Sequence, residues 1–121
     1  MAKILIVEND ADLTFMYVTR FGSMGHDVLA ASTIDDGIKM YDEQNPDLII
    51  SDYRFNEKTG KDLFNYVREG DKKNGRHTPF ILVSGKEREF KPDKFLMKPF
   101  DGKDLCNVVD TLLKNKHLSQ K

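Results

Sequence analysis

The sequence of 121 residues has little of several features that point to particular classes of protein. It contains one cysteine, Cys106, which excludes an internal disulfide and falls in a helical apolar pattern typical of a packing role. No apolar run approaches the ~18 residues needed to cross a bilayer, and the N-terminal run is too short for a signal peptide. Nineteen basic and twenty acidic residues give a net charge of -1, so no general affinity for nucleic acid or membranes is expected. These absences predict a cytoplasmic protein, and the length predicts one domain, residues 1–121.

Short apolar runs alternate with helical patterns along the chain. Five runs are predicted as strands: Lys3–Val7, His26–Ala30, Asp47–Ser51, Phe80–Val83 and Lys94–Met97. Helical spacing of apolar side chains follows Asp10, Thr33, Gly60 and Asp101, and Asp101 is a predicted N-cap. Residues 70–77 are predicted to form a charged surface loop. The alternation predicts an α/β fold with a doubly wound, five-stranded parallel sheet.

Polar residues lie at or just after the ends of four of the predicted strands. They are Glu8-Asn9-Asp10, Ser51-Asp52, Ser84-Gly85 and Lys98-Pro99. Each group alone is typical of a turn or a cap, but the carboxyl ends of parallel strands share one edge of the sheet. Together they suit phosphoryl transfer to Asp52, because Mg²⁺ prefers carboxylate oxygens and Lys98 can neutralise charge on the phosphoryl group. The Ser84 hydroxyl can then donate a hydrogen bond to a phosphoryl oxygen.

As a set, these segments resemble the receiver domains of two-component response regulators over nearly the whole chain. The matching stretches are ILIVEND, PDLIISDYRFNEKTG, PFILVSG and FLMKPF, and Gly60 stands where the family has a glycine. The resemblance implies a flavodoxin-like sheet with strand order 2-1-3-4-5. It also implies a stand-alone response regulator that accepts a phosphoryl group from a histidine kinase or a phosphotransfer protein. Such a protein signals through contacts with a target protein, here unidentified, and does not turn over a free substrate.

The resemblance assigns roles to single residues. By it, Asp52 is the phosphoacceptor, Lys98 contacts the phosphoryl group, and Ser84 is the hydroxyl that turns inward on phosphorylation. Pro99 follows the lysine at a position where the family's peptide bond is typically cis. Phe95 matches the family's aromatic switch residue, although it also fits a plain core aromatic.

A metal site follows from the same resemblance. Glu8 and Asn9 match the acidic metal-binding pair, and Asp52 and the backbone carbonyl of Arg54 would complete the protein ligands of Mg²⁺. Asn9 departs from the family, which normally has an aspartate there. An amide oxygen can coordinate Mg²⁺ but brings no charge, so a lower affinity is expected. Asp10 can compensate for the charge missing at Asn9 only if its side chain turns back toward the site.

The interval between Ser84 and Lys98 is shorter than the family usually has. Residues 86–93 contain one clear apolar residue and Pro92, so they cannot supply an amphipathic stripe, and the fourth helix is predicted to be missing or much shortened. We hypothesise that residues 86–93 are mobile and become ordered on partner binding or phosphorylation. Asn56 stands where many relatives have a proline, which predicts a more flexible loop after the acceptor.

Two cationic side chains, Arg54 and Lys86, follow Asp52 and Ser84 by two residues. They are either solvated surface charges or a pair that attracts the dianionic phosphodonor.

Two other functions are compatible with parts of the sequence. A pseudo-receiver that acts as an interaction module without phosphate is favoured by Asn9 and the short crossover, and opposed by Asp52, Ser84 and Lys98. A nucleotide-binding enzyme or hydrolase is disfavoured because the chain lacks G-x-x-x-x-G-K-[ST] and G-x-G-x-x-G loops. Aspartyl phosphatases carry a second aspartate where this chain has Arg54.

Overall fold

The computed structural model describes residues 2–86 and 90–119. The strands are β1 Lys3–Val7, β2 Asp27–Ala31, β3 Leu48–Asp52, β4 Phe80–Ser84 and β5 Lys94–Met97. The helices are α1 Ala11–Ser23, α2 Ile34–Gln44, α3 Gly60–Asn74 and α4 Gly102–Ser119. All strand pairs are parallel, and the order β2-β1-β3-β4-β5 confirms the predicted doubly wound sheet. The predicted bounds of β2 and β3 began one residue too early.

Alternate residues of the strands pack into two apolar layers, one on each face of the sheet. On the face of α1 and α4, strand residues such as Ile6 and Ile50 pack with Tyr17 and Phe21. On the face of α2 and α3, strand residues such as Leu5 and Leu82 pack against residues of both helices. Because both faces of the sheet are covered, its central strands consist of nearly unbroken apolar runs. None of the described helices has the length and apolarity that a membrane crossing requires.

Side chains at the strand-to-helix turns cap the N-termini of the helices. The Asp10 carboxylate accepts hydrogen bonds from the backbone N–H groups of Asp12 and Leu13, at 2.9 and 3.1 Å. Thr33 accepts one from the Asp36 N–H at 3.1 Å, and Asp101 accepts one from the Lys103 N–H at 2.9 Å. Each contact satisfies a donor that the first helical turn leaves unpaired, which places the helices directly after the strand ends.

The predicted surface loop over residues 70–77 was wrong for residues 70–74, which belong to α3, whereas residues 75–77 are non-helical as predicted. Helix α3 continues to Asn74, and Asp71 is only 2% exposed. Its carboxylate accepts hydrogen bonds from the Tyr41 hydroxyl at 2.6 Å, the Thr78 N–H at 2.5 Å and Arg76 Nε at 3.3 Å. Burial alone would raise the pKa of Asp71, but these hydrogen bonds outweigh it and hold the pKa below its usual value. The carboxylate joins α2, the end of α3 and the entry to β4.

The crossover from β4 to β5 contains no helix within its described residues, 85–86 and 90–93, which agrees with the predicted loss of the fourth helix. Residues 87–89 of this interval lie outside the described residues. The hypothesis that residues 86–93 become ordered on binding therefore remains a prediction. The described part is anchored: Phe90 packs against Phe64, and the Asp93 carboxylate accepts a hydrogen bond from the Phe80 N–H at 2.7 Å.

Candidate functional site

The predicted strand-end residues converge at one edge of the sheet. Val7 is in register with Ser51, Asp52 with Val83, and Ser84 with Met97. The residues at or just after the carboxyl ends of β1, β3, β4 and β5 therefore lie side by side. This is the edge at which doubly wound sheets carry their ligand sites.

Lys98 connects the acidic residues of two strands. Its ammonium nitrogen lies 3.2 Å from Asp52 Oδ2 and 3.6 Å from Glu8 Oε1. The other Asp52 oxygen, Oδ1, accepts a hydrogen bond from the Tyr53 N–H at 2.9 Å. The acceptor carboxylate thus receives a charged donor on one oxygen and a backbone donor on the other.

The backbone around Lys98 holds its side chain in this position. The Lys98 N–H donates to the Ser84 carbonyl at 2.7 Å, and the Lys98–Pro99 peptide bond is cis, as the resemblance implied. Phe100 then stacks on the buried ring of Tyr17, with centroids 6.3 Å apart. Tyr17 and Phe100 were not predicted as supports of the site, because both simply fit the apolar patterns of core residues.

Glu8 is a buried acid whose pKa is raised. It is 3% exposed, and burial, together with the nearby Asp52 charge, raises its pKa, which Lys98 opposes. Glu8 Oε2 accepts a hydrogen bond from the Asp10 N–H at 3.1 Å. Glu8 Oε1 is buried and accepts no hydrogen bond from any residue that the structure describes. Within the described residues, the Lys98 ammonium at 3.6 Å is the charge that offsets its lost hydration, and the oxygen can still accept a hydrogen bond or bind a metal ion.

The donor set at this edge fits a hard divalent cation, because Mg²⁺ takes oxygen ligands and is commonly held by one or two carboxylates plus water. Glu8 and Asp52 supply the carboxylates. Among the described residues no group of three or more acidic, histidine or cysteine side chains forms a metal cluster. Asp10 does not supply the missing charge, because its carboxylate caps α1. The condition under which Asp10 would compensate, a side chain turned back toward the site, is therefore not met.

Asn9, which stands at the usual aspartate position, is exposed. It lines a surface depression of about 280 Å³ together with Thr33, Asp35, Phe55 and Lys58. The rim of this depression also holds the Lys58–Asp35 ion pair at 2.5 Å. Asn9 can offer an uncharged amide oxygen from this border of the site, and its role in metal binding remains a prediction.

Ser84 is 2% exposed, and its hydroxyl oxygen accepts a hydrogen bond from the Lys86 N–H at 3.3 Å. Phe95 is half-buried, lies in register with Leu82, and packs against the apolar layer under α2 and α3. The structure describes one position for each side chain, so their roles as switch residues remain predictions.

The two cations singled out in the sequence, Arg54 and Lys86, are both exposed. Arg54 also forms an isolated β-bridge with Thr59, which closes the turn between Asp52 and α3.

Gly60 begins α3 where the turn passes very close to the acceptor. A Cβ at this position would lie 2.5 Å from the Asp52 carbonyl oxygen and 3.1 Å from the Tyr53 Cα. No side chain fits there without moving the backbone, which explains the glycine. Gly60 also donates its N–H to the Tyr53 carbonyl at 2.7 Å.

The family model of the response regulator receiver domain matches residues 4–110. The chain belongs to this family. Receiver domains are signalling domains of two-component systems, in which phosphorylation and Mg²⁺ binding are typical.

Among curated relatives, the chain is similar to the transcriptional regulatory protein CpxR of Klebsiella pneumoniae, with 26% identity over 99% of this chain and 53% of CpxR. This chain spans about half the length of the curated relatives it matches.

Solved structures show the same fold. A CheY-like receiver domain protein of Methanospirillum hungatei has a TM-score of 0.86 at 20% identity, covering 98% of each chain. The response regulator TrrA of Thermotoga maritima, in complex with Mg²⁺-BeF, has a TM-score of 0.81 at 20% identity, covering 93% of this chain and 99% of TrrA. TrrA has also been solved in complex with the histidine kinase ThkA.

Proposed function

We propose that this receiver domain accepts a phosphoryl group on Asp52 and signals by binding other proteins. One observation carries the proposal: Lys98 Nζ lies 3.2 Å from Asp52 Oδ2 and 3.6 Å from Glu8 Oε1, a buried oxygen that accepts no hydrogen bond from the described residues. A carboxylate nucleophile, a cation and an unsatisfied acid thus meet at the edge where this fold carries its sites.

The proposed step moves the phosphoryl group from a phosphohistidine to the protein. An oxygen of Asp52 forms the new P–O bond while the P–N bond to the donor imidazole breaks, and that nitrogen keeps the bonding electron pair. Lys98 offsets negative charge on the phosphoryl oxygens, and the Tyr53 N–H orients the carboxylate through Oδ1. Water later hydrolyses the acyl phosphate and restores Asp52.

Glu8 and Asp52 would hold Mg²⁺, with the Asn9 amide and the Arg54 carbonyl as further oxygen ligands. When bound, the metal supplies positive charge that offsets charge on the transferring group. Glu8 Oε1 would gain from a metal ion, because it is buried and accepts no hydrogen bond from the described residues. Asn9 leaves the ligand set one charge short, so we expect weaker metal binding than with an aspartate.

Phosphorylation would reach the surface through Ser84 and Phe95. The Ser84 hydroxyl oxygen accepts a long hydrogen bond of 3.3 Å from the Lys86 N–H, and on phosphorylation its own hydrogen would turn toward a phosphoryl oxygen at Asp52. Phe95 lies on the neighbouring edge strand, half-buried, where a shift of Ser84 alters the space available to it. A histidine kinase or a phosphotransfer protein is the proposed donor, which the kinase complex of TrrA supports.

The experiment is labelling with acetyl phosphate or phosphoramidate, read out by intact mass. We expect wild type to gain one phosphoryl group in the presence of Mg²⁺, Asp52→Asn to gain none, and EDTA to slow the labelling of wild type. Asp42→Asn serves as the control, because Asp42 bonds only the exposed Tyr66 hydroxyl in the described structure. Labelling of Asp52→Asn at the wild-type rate would contradict the assignment.

A second candidate is a pseudo-receiver whose state is set by partners alone. The uncharged Asn9 and the lack of a three-acid cluster in the described residues favour it. The same experiment decides between the two functions: absence of labelling of folded wild type by either donor, with Mg²⁺ present, would support the pseudo-receiver.

A further inference from the structure

A cluster of aromatic rings lies beside the turn that follows Asp52. The ring of Phe90 is 6.5 Å from that of Tyr53 and 5.0 Å from that of Phe64, between centroids. Phe64 in turn meets Phe80 edge-on at 5.3 Å. These separations are those of interacting aromatic pairs. Phe90 belongs to the crossover between β4 and β5, whose described residues contain no helix, so this crossover reaches the acceptor turn.

The backbone of Tyr53 is tied on both sides. Its N–H donates to Asp52 Oδ1 at 2.9 Å, and its carbonyl accepts the Gly60 N–H at 2.7 Å. A displacement of Tyr53 would therefore disturb the alignment of a hydrogen bond to the acceptor carboxylate. The ring of Phe90, a residue of the crossover, contacts the Tyr53 ring.

The crossover has a second anchor close to β5. The Asp93 carboxylate accepts hydrogen bonds from the Phe80 N–H and from His77 Nε2, both at 2.7 Å, and it also pairs with Arg68. The Arg68 guanidinium lies over the Phe64 ring, 4.8 Å from its centroid. Asp93 thus anchors the crossover to β4 and α3. Because this anchor does not depend on Phe90, truncating the Phe90 side chain should remove its ring contacts without releasing the whole segment.

We propose that Phe90 is a positioning residue of the acceptor site. Its ring holds Tyr53 so that the Tyr53 N–H stays aligned on Asp52 Oδ1, and the same contact transmits a change at Asp52 to the crossover. The proposal rests on the proposed role of Asp52 as phosphoacceptor. It differs from the switch through Ser84 and Phe95, because it uses a residue of this chain's shortened crossover.

The test compares Phe90→Ala, Phe90→Leu and the control Phe15→Ala, whose side chain is 72% exposed on α1. The first readout is the amide proton shift of Tyr53 in two-dimensional NMR spectra, because donation to a carboxylate moves this resonance strongly. The second is the rate of labelling by acetyl phosphate. We expect Phe90→Ala to shift the Tyr53 amide upfield and to slow labelling by about tenfold, the effect of losing one charge-assisted hydrogen bond. Phe90→Leu should recover most of both, and Phe15→Ala should change neither.

A Tyr53 amide that responds no more to Phe90→Ala than to Phe15→Ala overturns the proposal. If Phe90→Ala does not fold, the reverse measurement decides: Asp52→Asn must shift the Phe90 amide more than the Phe15 amide, and an unmoved Phe90 amide overturns the coupling. Absence of labelling in wild type would refute the proposed function instead. The amide measurements would still judge the contact on its own.

Discussion

Replacing the buried Asp71 by alanine should cost about 3 kcal/mol of unfolding free energy. The Thr78 N–H, on a residue with no exposure, would lose its 2.5 Å acceptor, and an unsatisfied buried donor costs about 1–3 kcal/mol. The Tyr41 hydroxyl would lose its 2.6 Å hydrogen bond to the Asp71 carboxylate but could still donate to the Val67 carbonyl at 3.2 Å, which limits its contribution to the loss of stability. Arg76 would keep its 2.7 Å hydrogen bond to the Asn45 side chain, so its lost contact with Asp71 adds little to the loss of stability.

The assay is urea denaturation followed by circular dichroism. With a typical slope of about 1–3 kcal/mol per molar urea, the midpoint of Asp71→Ala should fall by roughly 1–3 M. Asp42→Ala is the matched control, because Asp42 accepts a hydrogen bond from a tyrosine hydroxyl at 2.7 Å in an exposed setting. It should change stability by less than about 0.5 kcal/mol. Equal midpoints for the two variants would refute the argument that burial makes the Asp71 contacts strong.

The same carboxylate predicts a pH dependence. The pKa of Asp71 is lower in the folded than in the unfolded state, so the unfolded chain binds more protons below about pH 4. Its stabilising contribution is complete above the unfolded pKa and is lost as the pH falls through the folded pKa. We therefore expect Asp71→Asn to lose less stability than wild type on acidification below about pH 4, and an identical decline would contradict this assignment.

Three further predictions concern the acceptor edge. Asn9→Asp should tighten Mg²⁺ binding by roughly tenfold in calorimetry, since it adds a charged oxygen ligand, and an unchanged affinity would remove Asn9 from the ligand set. Gly60→Ala should lower stability by about 1–3 kcal/mol because its Cβ would lie 2.5 Å from a backbone oxygen, whereas Gly22→Ala, with open space, should be neutral or stabilising in thermal unfolding. Neutralising Arg54 and Lys86 together should slow labelling by a dianionic donor at low salt but not at high salt. If the double variant is labelled as fast as wild type at both salt concentrations, the two residues are solvated surface charges.

Much of the fold was predictable because its signals are local. An apolar run such as Lys3–Val7 suits a strand covered on both faces wherever it lies in the chain, and the parallel connection then follows from the helices between strands. Thr33 could be predicted at a helix start for the same reason, since its partner, the Asp36 N–H, is three residues away. The edge that gathers Glu8, Asp52 and Lys98 follows from strand direction alone.

The sequence by itself determined the order of elements, the edge that carries the site, and the residue types available there for phosphoryl chemistry. Only the tertiary structure decided which polar group each side chain contacts. Asp10 reads as an extra ligand but caps its own helix, Asp71 reads as surface but is buried against Tyr41, thirty residues away, and Phe90 reads as a lone apolar residue but reaches the acceptor turn. Such choices depend on how much hydration a group loses and on which distant donors replace it, and both are set by packing between elements that no local pattern encodes.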